Sequence, residues 1–259
     1  MMAGGRKNGL KIISGMAKFS NYDKTRNVLA KNTTQLSAYI KFGCVSIREV
    51  YHACSAHDLI KQLFWREFFM NIVADHPEIL TGQHGHRNFN PKYDKLAWNR
   101  RSDAKFQKWC LGKTGYPVVG AAMRQLNQIG WMHNRGRLIV SAFLVKLLGY
   151  HWELGERYFA TKLRDYDPAQ NNGGWQFVAG SGVDAQPYFR MFNPWLQSEK
   201  YDPDAKYIKK WCPELADVDP CDIHKWYDAW QDYDVAYPKP MIDYEKYRDE
   251  TKKIYAKLY

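Results

Sequence analysis

An all-α fold is what this 259-residue sequence predicts, and three observations carry that reading. Apolar residues recur at helical spacing in the long patterned stretches. Capping residues or a helix-opening proline stand where those stretches begin. Strand signals are scarce. In order, Ser46-Ile-Arg-Glu49 has the form of a capping box and opens a helix. Lys61 to Val73 continues helically, with Phe64, Phe68 and Ile72 at helical spacing. Another face of it sets Gln62, Trp65, Arg66 and Phe69 at i, i+3, i+4 and i+7, and a pure packing face would not include Gln and Arg. Pro117 suits the first turn of a helix running to Gly130, with Val119, Ala122, Met123 and Leu126 on one side. Leu138 to Leu148 is apolar nearly all round and reads as a central buried helix. Trp152 to Arg164 is a further amphipathic helix, and a loop over Asp165 to Gly174 follows it. After Pro194 the chain is rich in Pro, Asp and Tyr and reads as short helices and turns wrapping the surface. No internal repeat or linker divides it.

Length allows one large domain or two small ones. Lys and Arg number 38 against 27 Asp and Glu, a net charge of +11. The excess lies in residues 1–196, with 27 basic and 13 acidic side chains; residues 197–259 carry 11 and 14. A basic body with an acidic end fits a polyanionic partner, nucleic acid first. Five cysteines (Cys44, Cys54, Cys110, Cys212, Cys221) form no C-x-x-C pair. Their odd number, with no signal peptide before them, fits reduced thiols in an intracellular protein. The longest apolar run, Leu138 to Leu148, is broken by Ser141 and Lys146 and is too short to span a bilayer, so the protein reads as soluble, with no membrane partner.

Several motif-like strings fail on inspection. Gly112-Lys-Thr114 resembles the end of a phosphate loop, but Gln107 stands where the first glycine belongs. Gly180-Ser-Gly182-Val-Asp-Ala185 matches a dinucleotide fingerprint in letters, yet Gln186-Pro187 disfavours the helix it needs. His84 and His86 have no second ligand pair at metal spacing, so no metal site is expected. No Ser/His/Asp order and no catalytic carboxylate pair stands out.

The ten tryptophans are the most informative residues. Trp98, Trp152 and Trp175 each sit beside a polar cluster that an ordinary core avoids. The densest stretch, Leu163 to Phe177, packs two aspartates, two asparagines and two glycines against aromatic rings. That mixture suits a large, flat, partly polar cofactor, whose faces rings bury and whose edges amides satisfy.

With Thr33-Thr-Gln-Leu-Ser37, Trp65-Arg-Glu-Phe68, Gly112-Lys-Thr-Gly-Tyr-Pro117, Ala121-Ala-Met-Arg-Gln-Leu126, Gly130-Trp-Met-His-Asn-Arg135, Gly155-Glu-Arg-Tyr-Phe159, Asn171-Asn-Gly-Gly-Trp-Gln176 and Pro187-Tyr-Phe-Arg190 in family order, the chain resembles the C-terminal FAD-binding helical domain of the photolyase/cryptochrome family. The resemblance is greatest to class I cyclobutane pyrimidine dimer photolyases. It makes residues 1–20 a remnant of the interdomain connection and 21–259 the catalytic domain. The family's α/β antenna domain has no counterpart in this sequence. The resemblance therefore implies that the antenna chromophore is not bound by this chain, and that a separate chain supplies that domain or the protein self-associates on the uncovered face.

The resemblance also implies roles. Tyr22, Thr33, Thr34, Gln35, Leu36, Ser37, Arg66, Arg137, Asp165, Tyr166, Asp167 and Asn171 would hold non-covalent FAD, reduced in the active form. The hydroxyls of Thr33, Thr34 and Ser37 suit its diphosphate at a helix start. Arg137 would pair with Asp165 beside the isoalloxazine, and Asn171 would face flavin N5. Trp175, Trp152 and Trp98 would form the electron-transfer triad from flavin to surface. Contacts to damaged DNA would come from Arg26, the run Gln62, Leu63, Phe64, Trp65, Arg66, Glu67, Phe68 and Phe69, and from Asn134, Arg135, Phe177, Arg190 and Gln197. The implied reaction is blue-light splitting of cyclobutane dimers by an electron from excited reduced FAD, on a base flipped out of the stack. Gln62 stands where this class usually has Glu, Phe177 replaces a second pocket Trp, and Leu59 replaces a flavin-adjacent aromatic. His133-Asn134, in place of a His pair, argues against (6-4) chemistry. The alternatives are a cryptochrome-like photoreceptor and an inactive flavin- or DNA-binding remnant.

Overall fold

The computed structural model describes residues 3–81, 88–183 and 191–258. Among the described residues sixteen α-helices follow one another: α1 (Arg6–Ser14), α2 (Tyr22–Thr25), α3 (Ser37–Lys41), α4 (Ile47–Ala53), α5 (His57–Asp75), α6 (Glu78–Thr81), α7 (Ala104–Cys110), α8 (Pro117–Ile129), α9 (Asn134–Ala142), α10 (Trp152–Lys162), α11 (Pro168–Ala179), α12 (Pro194–Tyr201), α13 (Lys206–Trp211), α14 (Pro220–His224), α15 (Trp226–Ala229) and α16 (Tyr244–Ala256). Extended pairing among the described residues is confined to a bridge between Asn99 and Tyr150.

Local chemistry starts the helices where expected. Glu49 N donates to Ser46 Oγ at 3.1 Å and Ser46 N to Glu49 Oε2 at 2.7 Å, the reciprocal capping box of α4. Pro117 opens α8, and its buried residues, Val118 through Met123 and Leu126, put it at the centre of the main core. α7, α9, α12 and α13 pack around it. A smaller core of Met16, Leu36, Tyr39, Val45, Val50 and Leu59 joins the N-terminal helices to α5.

Three sequence expectations need correction. The helix expected over 138–148 is α-helical only to Ala142 and continues as a π-helical turn, Phe143–Leu147. All five of its residues are buried. Lys146 Nζ donates to Ala179 O at 2.9 Å and Lys146 O accepts from Thr251, so packing on every side overrides local α geometry. Second, the loop expected over Asp165–Gly174 is short, because α11 begins at Pro168. Asp167 caps it, accepting from Ala169 N at 3.1 Å and Gln170 N at 3.3 Å. Gly173 is helical for packing reasons: a Cβ there would lie 2.2 Å from the Phe69 ring of α5. Third, the tail is no surface wrapping. Trp195, Tyr207, Ile208, Trp211, Trp226 and Tyr237 belong to the main buried cluster, and its last helix, α16, runs 13 residues. Their aromatic area outweighs the polar residues between them.

Candidate functional site

Helices α5, α9, α10 and α11 wall a cavity of about 550 Å³. Gln62, Trp65 and Phe69 face it from α5, Asn134, Arg137, Leu138 and Ser141 from α9, Phe159 from α10, and Gln170, Asn171, Gly174, Trp175 and Phe177 from α11. A second lobe of about 300 Å³ shares Arg26, Gln62, Asn134, Arg137, Asp165, Asp167 and Gln170 with the first. It adds Tyr22, Thr33, Thr34, Gln35, Leu36, Ser37, Leu63 and Arg66. Gln62, Trp65, Arg66 and Phe69 therefore do converge on the site, divided between its lobes.

Asp165 is the anchor where the lobes meet. It accepts from Ser37 Oγ at 2.6 Å and from one Arg137 nitrogen at 2.8 and 3.0 Å. Arg137 Nε donates to Met132 O at 2.9 Å, which fixes the guanidinium. Asp167, besides capping α11, has Arg66 at 3.6 Å and Lys41 at 3.9 Å. Lys41 lines the smaller lobe and escaped the sequence reading; its nearness to Thr33–Ser37 is the signal that marks it.

Asn171 donates from Nδ2 to Glu156 O at 3.1 Å and to Glu156 Oε1 at 2.9 Å. Its carbonyl oxygen is the amide's remaining polar group. Burial raises the Glu156 carboxyl above its ordinary range. Glu156 also escaped the sequence reading, although it sits between Gly155 and Phe159 in a motif already singled out. Tyr166 does not line either lobe; its hydroxyl donates to Glu156 at 3.4 Å.

Of the three indoles, Trp175 lines the cavity and meets Phe159 edge-on at 5.0 Å. Trp152 is buried, stacks on His151 at 5.5 Å and donates from Nε1 to Asn88 Oδ1 at 2.7 Å. Half-buried Trp98 meets the other side of the contact chain, edge-on to His151 at 5.8 Å. His151 thus links the second and third indoles, a bridging ring not foreseen from sequence.

The remaining sequence candidates lie around the mouth or away from it. Phe64 and Phe68 are exposed on α5, and Glu67 pairs with Arg66 at 2.9 Å. Arg135 turns aside: it donates to Asn27 Oδ1 at 2.7 Å and Gln197 Oε1 at 3.4 Å, with its guanidinium 4.3 Å from the Tyr201 ring centroid. Arg190, with the rest of the 187–190 motif, lies outside the described residues, as do Asp184 to Gln186, His84 and His86.

His133 caps α9, its Nδ1 accepting from Arg135 N at 3.1 Å, while Nε2 is buried without a partner. Burial first, then the nearby Arg135 and Arg137, pulls its imidazole down to about 4. The folded state therefore binds this proton less readily than the unfolded chain. Its contribution is complete above about pH 6.5 and is lost as pH falls from there toward 4, by about 3 kcal/mol in all. His133→Asn, which keeps a capping acceptor, should flatten the pH dependence of the urea midpoint over that window. Identical profiles for the two proteins would rule His133 out as its source.

Residues 59–257 match the family described as the FAD binding domain of DNA photolyase. The chain belongs to that family. It is 42% identical over 250 residues to a deoxyribodipyrimidine photo-lyase of Vibrio cholerae, covering 92% of this chain and 52% of that protein. Among solved structures, an archaeal photolyase from Sulfolobus tokodaii matches with a TM-score of 0.88 at 40% identity, over 98% of this chain and 56% of that one. A Synechocystis cryptochrome matches at 0.85 and 32%, over 97% and 56%. The chain spans about half the length of the relatives it matches. No helix among the described residues is long and apolar enough to cross a membrane.

Proposed function

We propose that this domain holds FAD non-covalently across the two lobes and, with the flavin reduced, repairs cyclobutane pyrimidine dimers in DNA under blue light. The observation that carries the reading is Trp175. Its indole forms part of the cavity wall, and the other two indoles of the series, Trp152 and partly exposed Trp98, are joined in one aromatic row through His151.

The residues present fit the cofactor. The smaller lobe offers the hydroxyls of Thr33, Thr34 and Ser37 with the cations Lys41 and Arg66, a set suited to a diphosphate. The larger lobe offers Phe159 and Trp175 for flat ring faces, with Asn171 and the Arg137–Asp165 pair for polar edges. A bound reduced flavin supplies the light-driven electron. The protein's part is to place it, exclude water and hold the lesion against it. Asn171, anchored on Glu156, presents a neutral amide that neither takes nor gives a proton. Trp65, exposed at the mouth, gives a flipped base pair a wall, and Gln62 and Asn134 read its edges. Gln62 both donates and accepts but supplies no acid proton, so efficiency is set by positioning.

Purified protein carrying reduced flavin should split thymine dimers in the light and leave them intact in the dark. Light-exposed dimers that persist in that assay would defeat the enzyme reading and favour the photoreceptor, which the cryptochrome likeness keeps as the second reading. DNA affinity should fall steeply with salt as phosphate contacts release counterions. Lys61 lines the larger lobe, exposed and paired with Asp58 at 3.2 Å, and Lys61→Ala should weaken damaged and undamaged DNA alike, lowering the salt slope by about 1. Asn134→Ala should instead erode the preference for damage. The opposite assignment of the two effects would exchange their roles.

A further inference from the structure

A separate cavity, of about 570 Å³, abuts the smaller lobe. Thr33, Thr34 and Gln35 are a wall of both, as is Trp131. Both cavities are lined by cations, and they differ in their acids. Asp165 and Asp167 line the smaller lobe, whereas no carboxylate lines the separate cavity among the described residues. Three cations do: Lys11, Lys18 and Arg164, and none forms an ion pair with an acid among the described residues. Lys11 sits in the last turn of α1, where a cation offsets the helix carbonyls. Lys18 sits likewise in the last turn of the 3-10 helix Met16–Phe19, whereas Arg164 lies beyond the end of α10, outside any helix.

The position of Arg164 is built into the backbone. Arg164 N donates to Gly130 O at 2.8 Å. Gly130 has φ 63°, and a Cβ on it would lie 2.8 Å from Arg164 Cγ and 3.0 Å from Nε. The arginine stem therefore lies across a bare glycine that both the turn and the contact require. Half-buried Trp131 and Phe19 add aromatic faces to the same cavity. On the shared wall Gln35 is held at φ 52°, a left-handed conformation that non-glycine residues seldom adopt.

We propose that this cavity binds a free nucleoside phosphate, its base against Trp131 and Phe19 and its phosphates on Lys11, Lys18 and Arg164. The volume falls in the range of small-molecule sites. Cations without carboxylate competitors select an anion, and the guanidinium can grip two phosphate oxygens at once. The aromatic faces select a base over a bare phosphate. Because Thr33–Gln35 is common to both cavities, occupancy here and flavin affinity are coupled, and by the same factor in each direction.

The test is calorimetric titration of the purified chain with ADP, alongside Lys18→Glu combined with Arg164→Glu, neither of which lines the flavin lobes. The expected result is ADP binding with flavin absorbance retained, weakened at least about tenfold in the double variant, whose flavin content stays unchanged. Pyrophosphate should bind more weakly than ADP. Equal ADP affinity in both proteins, or ADP binding that expels the flavin, would place the nucleotide in the flavin cavity and overturn the proposal. Oligothymidylate that displaces ADP at equal base concentration would assign the site to a nucleic-acid strand and overturn it as well. An absorption spectrum without flavin bands would sink the flavin reading alone. The comparison of parent and double variant still decides this one.

Discussion

Trp175→Phe should fail to accumulate reduced flavin under blue light, whereas the parent protein reduces fully. Its indole is the member of the aromatic series that lines the cavity, so removing it separates the cofactor position from Trp152 and Trp98. Phenylalanine is far harder to oxidise and fills only part of the buried indole's space, so the variant should fold with a stability loss of about 1–2 kcal/mol. Transient absorption should show the tryptophan radical signal absent in the variant. Chemically reduced variant should still split dimers, because that step does not draw on the tryptophans. A variant that photoreduces as fast as the parent would show that electrons enter by another side chain.

Arg137→Met should both lower stability and release the cofactor. Asp165 is buried, and Arg137 is its charged partner at 2.8 Å. Removing the cation strands a carboxylate that Ser37 alone cannot compensate. Such a loss costs about 3 kcal/mol, the lower end of the range for buried pairs because Arg137 is itself partly exposed. The urea midpoint should fall accordingly, and flavin should elute separately on desalting. Adding Asp165→Asn should recover part of the stability without restoring the flavin, since the coupling term disappears with its second member. Strictly additive stability losses would mean the pair contributes nothing as a pair.

Helix identity was legible because capping and periodicity are local. The capping box at Ser46 and the proline start at Pro117 stand where the letters place them. What the letters hid depends on distant partners. Gly173 and Gly174 read as a loop, yet Gly173 is a helical residue that admits the Phe69 ring from more than a hundred positions away. The π turn at Phe143 follows from packing and from contacts with Ala179 and Thr251, none visible in a window around it. The polar tail concealed a row of core aromatics because their neighbours in sequence are not their neighbours in space.

The site followed the same division. The Thr33–Ser37 segment, Arg137 with Asp165, and the three indoles came from motif letters, and the fold gathers the first two around one anchor. Glu156, Lys41 and His151 stand beside marked residues in sequence, yet the contacts that give them a place in the site, with Asn171, Asp167 and Trp98, come from other segments. Arg135 shows the converse. Its position beside Asn134 in sequence does not bring it into the cavity, because successive helical residues point about 100° apart.

Gly155 lies inside α10, and a Cβ there would come within 2.1 Å of Trp175 Cη2. Inside a helix, glycine is less favourable than alanine by about 1 kcal/mol. Alanine at 155 would be the better helix former and the worse neighbour, forcing the indole or one of the two helices to shift. At this position helix propensity and packing against the cavity wall pull in opposite directions, and the volume of a single methyl group separates them.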